Sequence, residues 1–94
     1  MTPEEKAVFI SALEKFGNDN QIFQLFEEMG ELTVAINGYR RGRCTLEDVK
    51  EEIADVEIML EQMKIIFNAT EEDIEEHKQY KTTRLKERVH GKSI

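Results

Sequence analysis

Apolar residues along this chain recur at steps of three and four, the period of an amphipathic α-helix, and the recurrence is interrupted three times. The first run, Val8, Ile10, Ala12, Leu13 and Phe16, comes after Thr2 and Glu5, which have the spacing of a capping box, with Pro3 at the first helical position. A helix over residues 3–16 is predicted. Gly17-Asn18-Asp19-Asn20 is turn chemistry that can also cap the next helix. From Gln21 onward Ile22, Leu25, Phe26, Met29, Leu32 and Ile36 form one stripe, and Gly38 and Gly42 are expected to close this second helix.

Arg40 to Cys44 reads as a basic loop. Thr45 with Asp48 opens a third helix whose stripe is Leu46, Val49, Ile53, Val56, Leu60, Met63 and Phe67. Asn68-Ala69-Thr70 breaks the pattern, and Thr70 with Asp73 begins a fourth helix, acidic early and basic late as the helix dipole prefers. Its apolar positions are few, chiefly Ile74, Tyr80 and Leu85, so it is expected on the surface or against a partner chain. The short connection between the second and third helices makes them antiparallel, stripe against stripe. The expected fold is all-α, a four-helix protomer forming one domain over residues 1–94.

Length changes this picture in one respect. A 94-residue chain buries too little surface for a large independent core, so self-association into a helical-bundle homodimer or homotetramer is expected. Ile58, Met59 and Ile66, off the main stripe of the third helix, are expected to supply exposed apolar surface for it.

The net charge of −7 argues against nucleic-acid binding, which draws its affinity from clustered Lys and Arg. Residues 1–76 hold 19 acids and 7 bases, whereas residues 77–94 hold 6 bases and 1 acid, so an acidic body carries a basic tail. Cys44 is the only cysteine, which excludes an internal disulfide and a thiolate metal cluster and suits a reducing compartment. No apolar run has the length of a membrane span and no basic-then-apolar leader opens the chain, so a soluble, cytoplasmic protein without membrane contact is expected.

The informative motif is a quasi-repeat 24 residues apart, Glu27-Glu28-Met29-Gly30-Glu31-Leu32 and Glu51-Glu52-Ile53-Ala54-Asp55-Val56. Each reads acid, acid, apolar, small, acid, apolar. On a helix, residues i and i+3 are neighbours, so Glu28 with Glu31, and Glu52 with Asp55, each present two carboxylates on one face. Packed antiparallel, the pairs face each other, and Gly30 and Ala54 are expected to let the backbones approach closely. Four carboxylates sharing partly desolvated surroundings repel one another until a cation intervenes. All-oxygen ligation selects Mg²⁺, Mn²⁺ or Ca²⁺ over Zn²⁺, and Mg²⁺ characteristically binds a few carboxylates, several waters and a substrate phosphate.

The pattern Glu27-Glu28-x-x-Glu31, then 20 residues, then Glu52-x-x-Asp55 resembles the MazG-like all-α nucleoside triphosphate pyrophosphohydrolases, over roughly residues 20–88. The resemblance implies Mg²⁺ held by Glu28, Glu31, Glu52 and Asp55, and hydrolysis of a (deoxy)nucleoside triphosphate to the monophosphate and pyrophosphate. It also implies assembly into homo-oligomers. Glu27, at the first Glu of the signature, is expected to orient or deprotonate the attacking water. Family members resemble one another in a C-terminal Lys-aromatic-x-x-Arg element that meets the phosphates; here Lys81-Thr82-Thr83-Arg84 lacks the aromatic after the Lys. Lys78, Lys81 and Arg84 still share one helical face with Arg88, bearing the charge a triphosphate requires. Two alternatives stand beside this reading: a phosphoribosyl-ATP pyrophosphohydrolase, and a non-catalytic helical interaction module whose acidic surface meets a basic partner.

Overall fold

In a computed structural model, residues 1–91 are described, and among them the chain forms helices α1 (Pro3–Phe16), α2 (Asn18–Arg40), α3 (Leu46–Ile66) and α4 (Glu71–Val89), with no strand. Three of the four starts are made by one device. The Thr2, Thr45 and Thr70 hydroxyls accept from the N–H groups of Glu5, Asp48 and Asp73, whose carboxylates accept in return from the threonine N–H groups at 2.7–3.0 Å. These bonds hold the Glu5, Asp48 and Asp73 carboxyls below their ordinary pKa values.

The start of α2 is different. Gly17, at φ +90°, ends α1 and precedes α2 without a side-chain cap, so α2 begins at Asn18, ahead of the expected Gln21. Nor does α2 stop at Gly38. It runs on to Arg40, and Gly38 instead anchors the return loop, its carbonyl accepting from the N–H groups of Arg41, Arg43 and Cys44 at 3.2, 2.7 and 3.2 Å. A Cβ at Gly38 would collide with Cys44 Sγ and lie 3.2 Å from Cys44 Cβ, so this close approach of loop to helix requires glycine.

The antiparallel pair α2/α3 is the body of the protein, α1 packs across both helices, and α4 packs against none of them. The interior is correspondingly small. Leu13, Leu25, Ala35 and Met59 are its buried apolar residues, and Gln62 is buried with them at 4% exposure, accepting from Gln21 Nε2 at 2.7 Å. Each predicted stripe is split by the structure. Leu25 of α2 is buried and Val49, Val56 and Met63 of α3 are half-buried, whereas Phe26, Met29 and Ile36, and Leu46, Ile53, Leu60 and Phe67, stay exposed.

The expectation that Met59 and Ile66 would form exposed surface is reversed for Met59, which is buried, while Ile66 is half-buried; Ile58 is exposed as expected. The reason is angular. Two apolar stripes run side by side on each helix, and Met59 belongs to the one that turns toward α2. Gly30 and Ala54 do not set the approach of the backbones either: a Cβ on Gly30 would meet nothing within 4 Å, and Ala54 faces Met1, Glu5 and Phe9 of the N-terminal region.

The close approach of Gly38 to Cys44 generates a test. Gly38→Ala is expected to cost about 1–3 kcal/mol through overpacking, although alanine is the better helix former. Combined with Cys44→Ala the cost shrinks, and equilibrium urea denaturation of the four proteins at one concentration reads the difference; additive effects would contradict the contact.

Candidate metal centre

Glu28 and Glu31 stand one turn apart on α2, and Glu52 meets them from α3, so that one carboxylate oxygen from each lies within 4.8 Å of the other two. The register of the hairpin brings them together: the Gln21–Gln62 bond at the open end places the middle of α2 level with the middle of α3. Among the expected ligands Asp55 falls outside this triple. Its charge nonetheless reaches both Glu28 and Glu52, so it stands at the rim of the cluster.

Glu28 and Glu52 are half-buried, and their Oε2 atoms are enclosed with no hydrogen-bond partner. Glu28 Oε1 accepts from Gln24 Nε2 at 2.8 Å, which orients the carboxylate. Desolvation, then repulsion from neighbouring carboxylates, raises the pKa of Glu28 and of Glu52, partly offset at Glu28 by the Gln24 bond. Sequence reasoning misses Gln24; its place four residues before Glu28 is the signal that could find it.

Enclosed carboxylate oxygens without donors are costly, because an unpaired buried acceptor loses its hydration without replacement. A cation would supply what the protein does not. On Ca²⁺, with oxygens at about 2.4 Å, opposed ligands are roughly 4.8 Å apart, and on Mg²⁺ roughly 4.2 Å apart. Oxygens that all lie within 4.8 Å of one another are close enough for one hard dication to bridge. The donor set is all oxygen, which suits Mg²⁺ or Mn²⁺.

The remaining expected residues lie apart from this cluster. Glu27 is exposed on α2, and Lys78, Lys81 and Arg84 are exposed on α4, which packs against neither α2 nor α3. Arg84 lies over the Tyr80 ring at 5.8 Å, and Lys81, Arg84, Leu85 and Arg88 border a shallow depression on that helix. Lys81, Arg84 and Arg88 are thus gathered with one another but not with the acidic cluster, and Lys78 borders a separate depression with Glu75. No family profile, curated protein or solved structure matches the chain.

The raised values at Glu28 and Glu52 carry a sign. Both groups hold protons more tightly folded than unfolded, so their stabilising contribution to the metal-free protein is complete below the ordinary value of 4.5 and is lost as pH rises through the raised native values. The capping carboxylates act in the opposite sense at lower pH, where protonation removes their stabilisation. In chelator, Glu52→Gln is therefore expected to raise the melting temperature at pH 7.5 and to leave it nearly unchanged at pH 4. An unchanged or lower melting temperature at pH 7.5 would contradict the crowding of the carboxylates.

Proposed function

We propose that this chain is a Mg²⁺-dependent nucleoside triphosphate pyrophosphohydrolase, acting in the cytoplasm as a homo-oligomer of a MazG-like helical protomer. The observation that carries the reading is the set of three converging carboxylates with two enclosed oxygens lacking any donor, on the two helices that bear the signature motif. That no helix among the described residues is long and apolar enough to cross a membrane is compatible with it.

Glu28, Glu31 and Glu52 would hold the ion, with Asp55 entering from the rim. When bound, the dication polarises phosphoryl oxygens and neutralises charge that builds on them during hydrolysis. Gln24 keeps the Glu28 carboxylate in one orientation through the 2.8 Å hydrogen bond. Glu27, beside Glu28 on α2, acts on the attacking water by orienting it or accepting its proton. In the hydrolysis a water oxygen bonds to phosphorus and the anhydride bond between the α and β phosphates breaks, so that monophosphate and pyrophosphate separate, the water's proton passing to Glu27 or to the departing phosphate.

Lys78, Lys81 and Arg84 bear the charge for the triphosphate. Since α4 meets α3 only at its first turn, where Glu71 pairs with Lys64, and packs along no other helix of its own chain, they reach an acidic site only when α4 swings about residues 67–70 or belongs to a neighbouring copy. A panel of nucleoside triphosphates assayed with Mg²⁺ for pyrophosphate release tests the reading. Release from phosphoribosyl-ATP alone transfers it to that substrate, and no release from any nucleotide leaves a helical interaction module.

Glu31→Gln and Asp55→Asn are each expected to lower turnover by more than about 10²-fold, a loss on the scale of removing one electrostatic stabiliser, while helical content is retained. Near-normal turnover of either variant with Mg²⁺ would remove the residue concerned from the site.

A further inference from the structure

A second concavity lies away from the acidic centre, where the start of α1, the end of α3 and the α3–α4 turn come together. Its volume is about 320 Å³, within the range of small-ligand sites. Met1, Lys6 of α1 and Lys64 of α3 border it, Ile65 and Ala69 supply apolar wall, and Thr70 and Glu71 at the start of α4 close it. Lys64 stands 12 residues beyond Glu52, so about 18 Å of helix separates this crevice from the acidic cluster.

Cations from three parts of the chain converge on this crevice, although the protein as a whole carries a net charge of −7. Two of them have partners. Glu61, one turn earlier on α3, accepts from Lys64 Nζ at 2.9 Å and faces the Met1 amino group at 3.8 Å, beyond hydrogen-bond range. Glu71 contacts Lys64 at 3.5 Å, and its side chain is 61% exposed, so it is free to turn outward. Lys6 pairs with no carboxylate among the described residues. Three cations thus meet two carboxylates, one of them loosely held, and positive charge is left over. The helix start adds to it: Thr70 Oγ1 takes the Asp73 N–H, while those of Glu71 and Glu72 have no acceptor within the helix.

The geometry points to an anion site in this crevice, whose ligand is a phosphate group, free or carried on a small organic body. Charge selects it. With Glu71 turned outward, the Met1 amine, Lys6 and Lys64 stand against Glu61 alone, and a phosphate monoester bears about −1.5 to −2 at neutral pH, which balances that surplus. Its several oxygens can meet Lys6, Lys64 and the free N–H groups of α4 together, as one carboxylate cannot. Ile65 and Ala69 offer apolar surface to an organic body. Glu71 becomes the internal competitor, since it and the phosphate seek the same Lys64. A bound phosphate would tie α1, α3 and the start of α4 together, where the Glu71–Lys64 contact now joins α4 to α3. The site does not depend on the hydrolysis proposed above, because the crevice shares no residue with the acidic cluster.

Amide NMR of the full chain in chelator, titrated with inorganic phosphate and separately with a nucleoside monophosphate, tests the site apart from any activity. Without metal the acidic cluster repels both probes. Saturable shifts are expected at Lys6, Ile65, Ala69 and Glu71. Lys6 is exposed, so its substitution spares the fold. Lys6→Gln is expected to weaken binding about tenfold, the scale of one charge-assisted hydrogen bond, and Lys6→Arg to keep it. Glu71→Gln is expected to tighten binding by releasing Lys64. Tighter binding of the ester than of free phosphate assigns the site to a phosphate monoester, and equal binding assigns it to the free ion. Saturation by neither probe, shifts confined to Lys81, Arg84 and Arg88 of α4, a Lys6→Gln variant that binds as the native chain does, or a Glu71→Gln variant that binds no more tightly would each overturn it.

Discussion

The seam between α2 and α3 is the constraint that positions every other feature of the structure. It is a poor seam by the standards of a larger domain, with few buried apolar side chains and a buried Gln62, bonded to half-buried Gln21, in place of another hydrophobic layer. That pair does something apolar contacts do not. A Gln62 amide shifted along α2 would lose the Gln21 partner and remain buried without it, so slipped registers are penalised by an unsatisfied polar group. One fixed register then brings the carboxylates of α2 and α3 together.

Stability in so small a protein comes from several local devices added to this seam. Three reciprocal threonine and carboxylate caps start α1, α3 and α4 without help from tertiary packing. Around the α3–α4 turn, Lys64 contacts Glu61 at 2.9 Å and Glu71 at 3.5 Å, with the terminal amino group 3.8 Å from Glu61. These half-exposed pairs orient the chain ends more than they stabilise them. Against these stands the acidic cluster, where desolvation and repulsion work against folding at neutral pH. A local conflict of this kind, retained inside an otherwise consistent fold, is what the cation site proposed above would require.

Features that depend on neighbours along the chain are legible in the sequence. The caps at Thr2, Thr45 and Thr70 and the i, i+3 pairing of Glu28 with Glu31 are local, and the short return loop suffices to bring Glu52 opposite them. Features that depend on contacts between distant residues are not. Gly38 reads as a helix terminator until Cys44 is seen lying over it. Met59 and Leu60 are equally apolar, and periodicity alone does not tell which of two adjacent stripes turns inward; the seam buries Met59 and exposes Leu60. Gly30 and Ala54 look like spacers because they sit between acids, yet at their angular positions they face away from the seam.

The metal reading turns on whether a hard dication relieves the repulsion among the carboxylates that the α2/α3 seam gathers. Thermal melting at neutral pH, with Mg²⁺ titrated into chelator-stripped protein, measures that relief directly. A saturable rise in melting temperature is expected, about 2.7 kcal/mol of added stability at a hundredfold excess over the dissociation constant, and it is expected to be absent from the Glu28→Gln, Glu52→Gln double variant. A native protein indifferent to Mg²⁺ and Mn²⁺, or a double variant that gains as much as the native chain, would refute it.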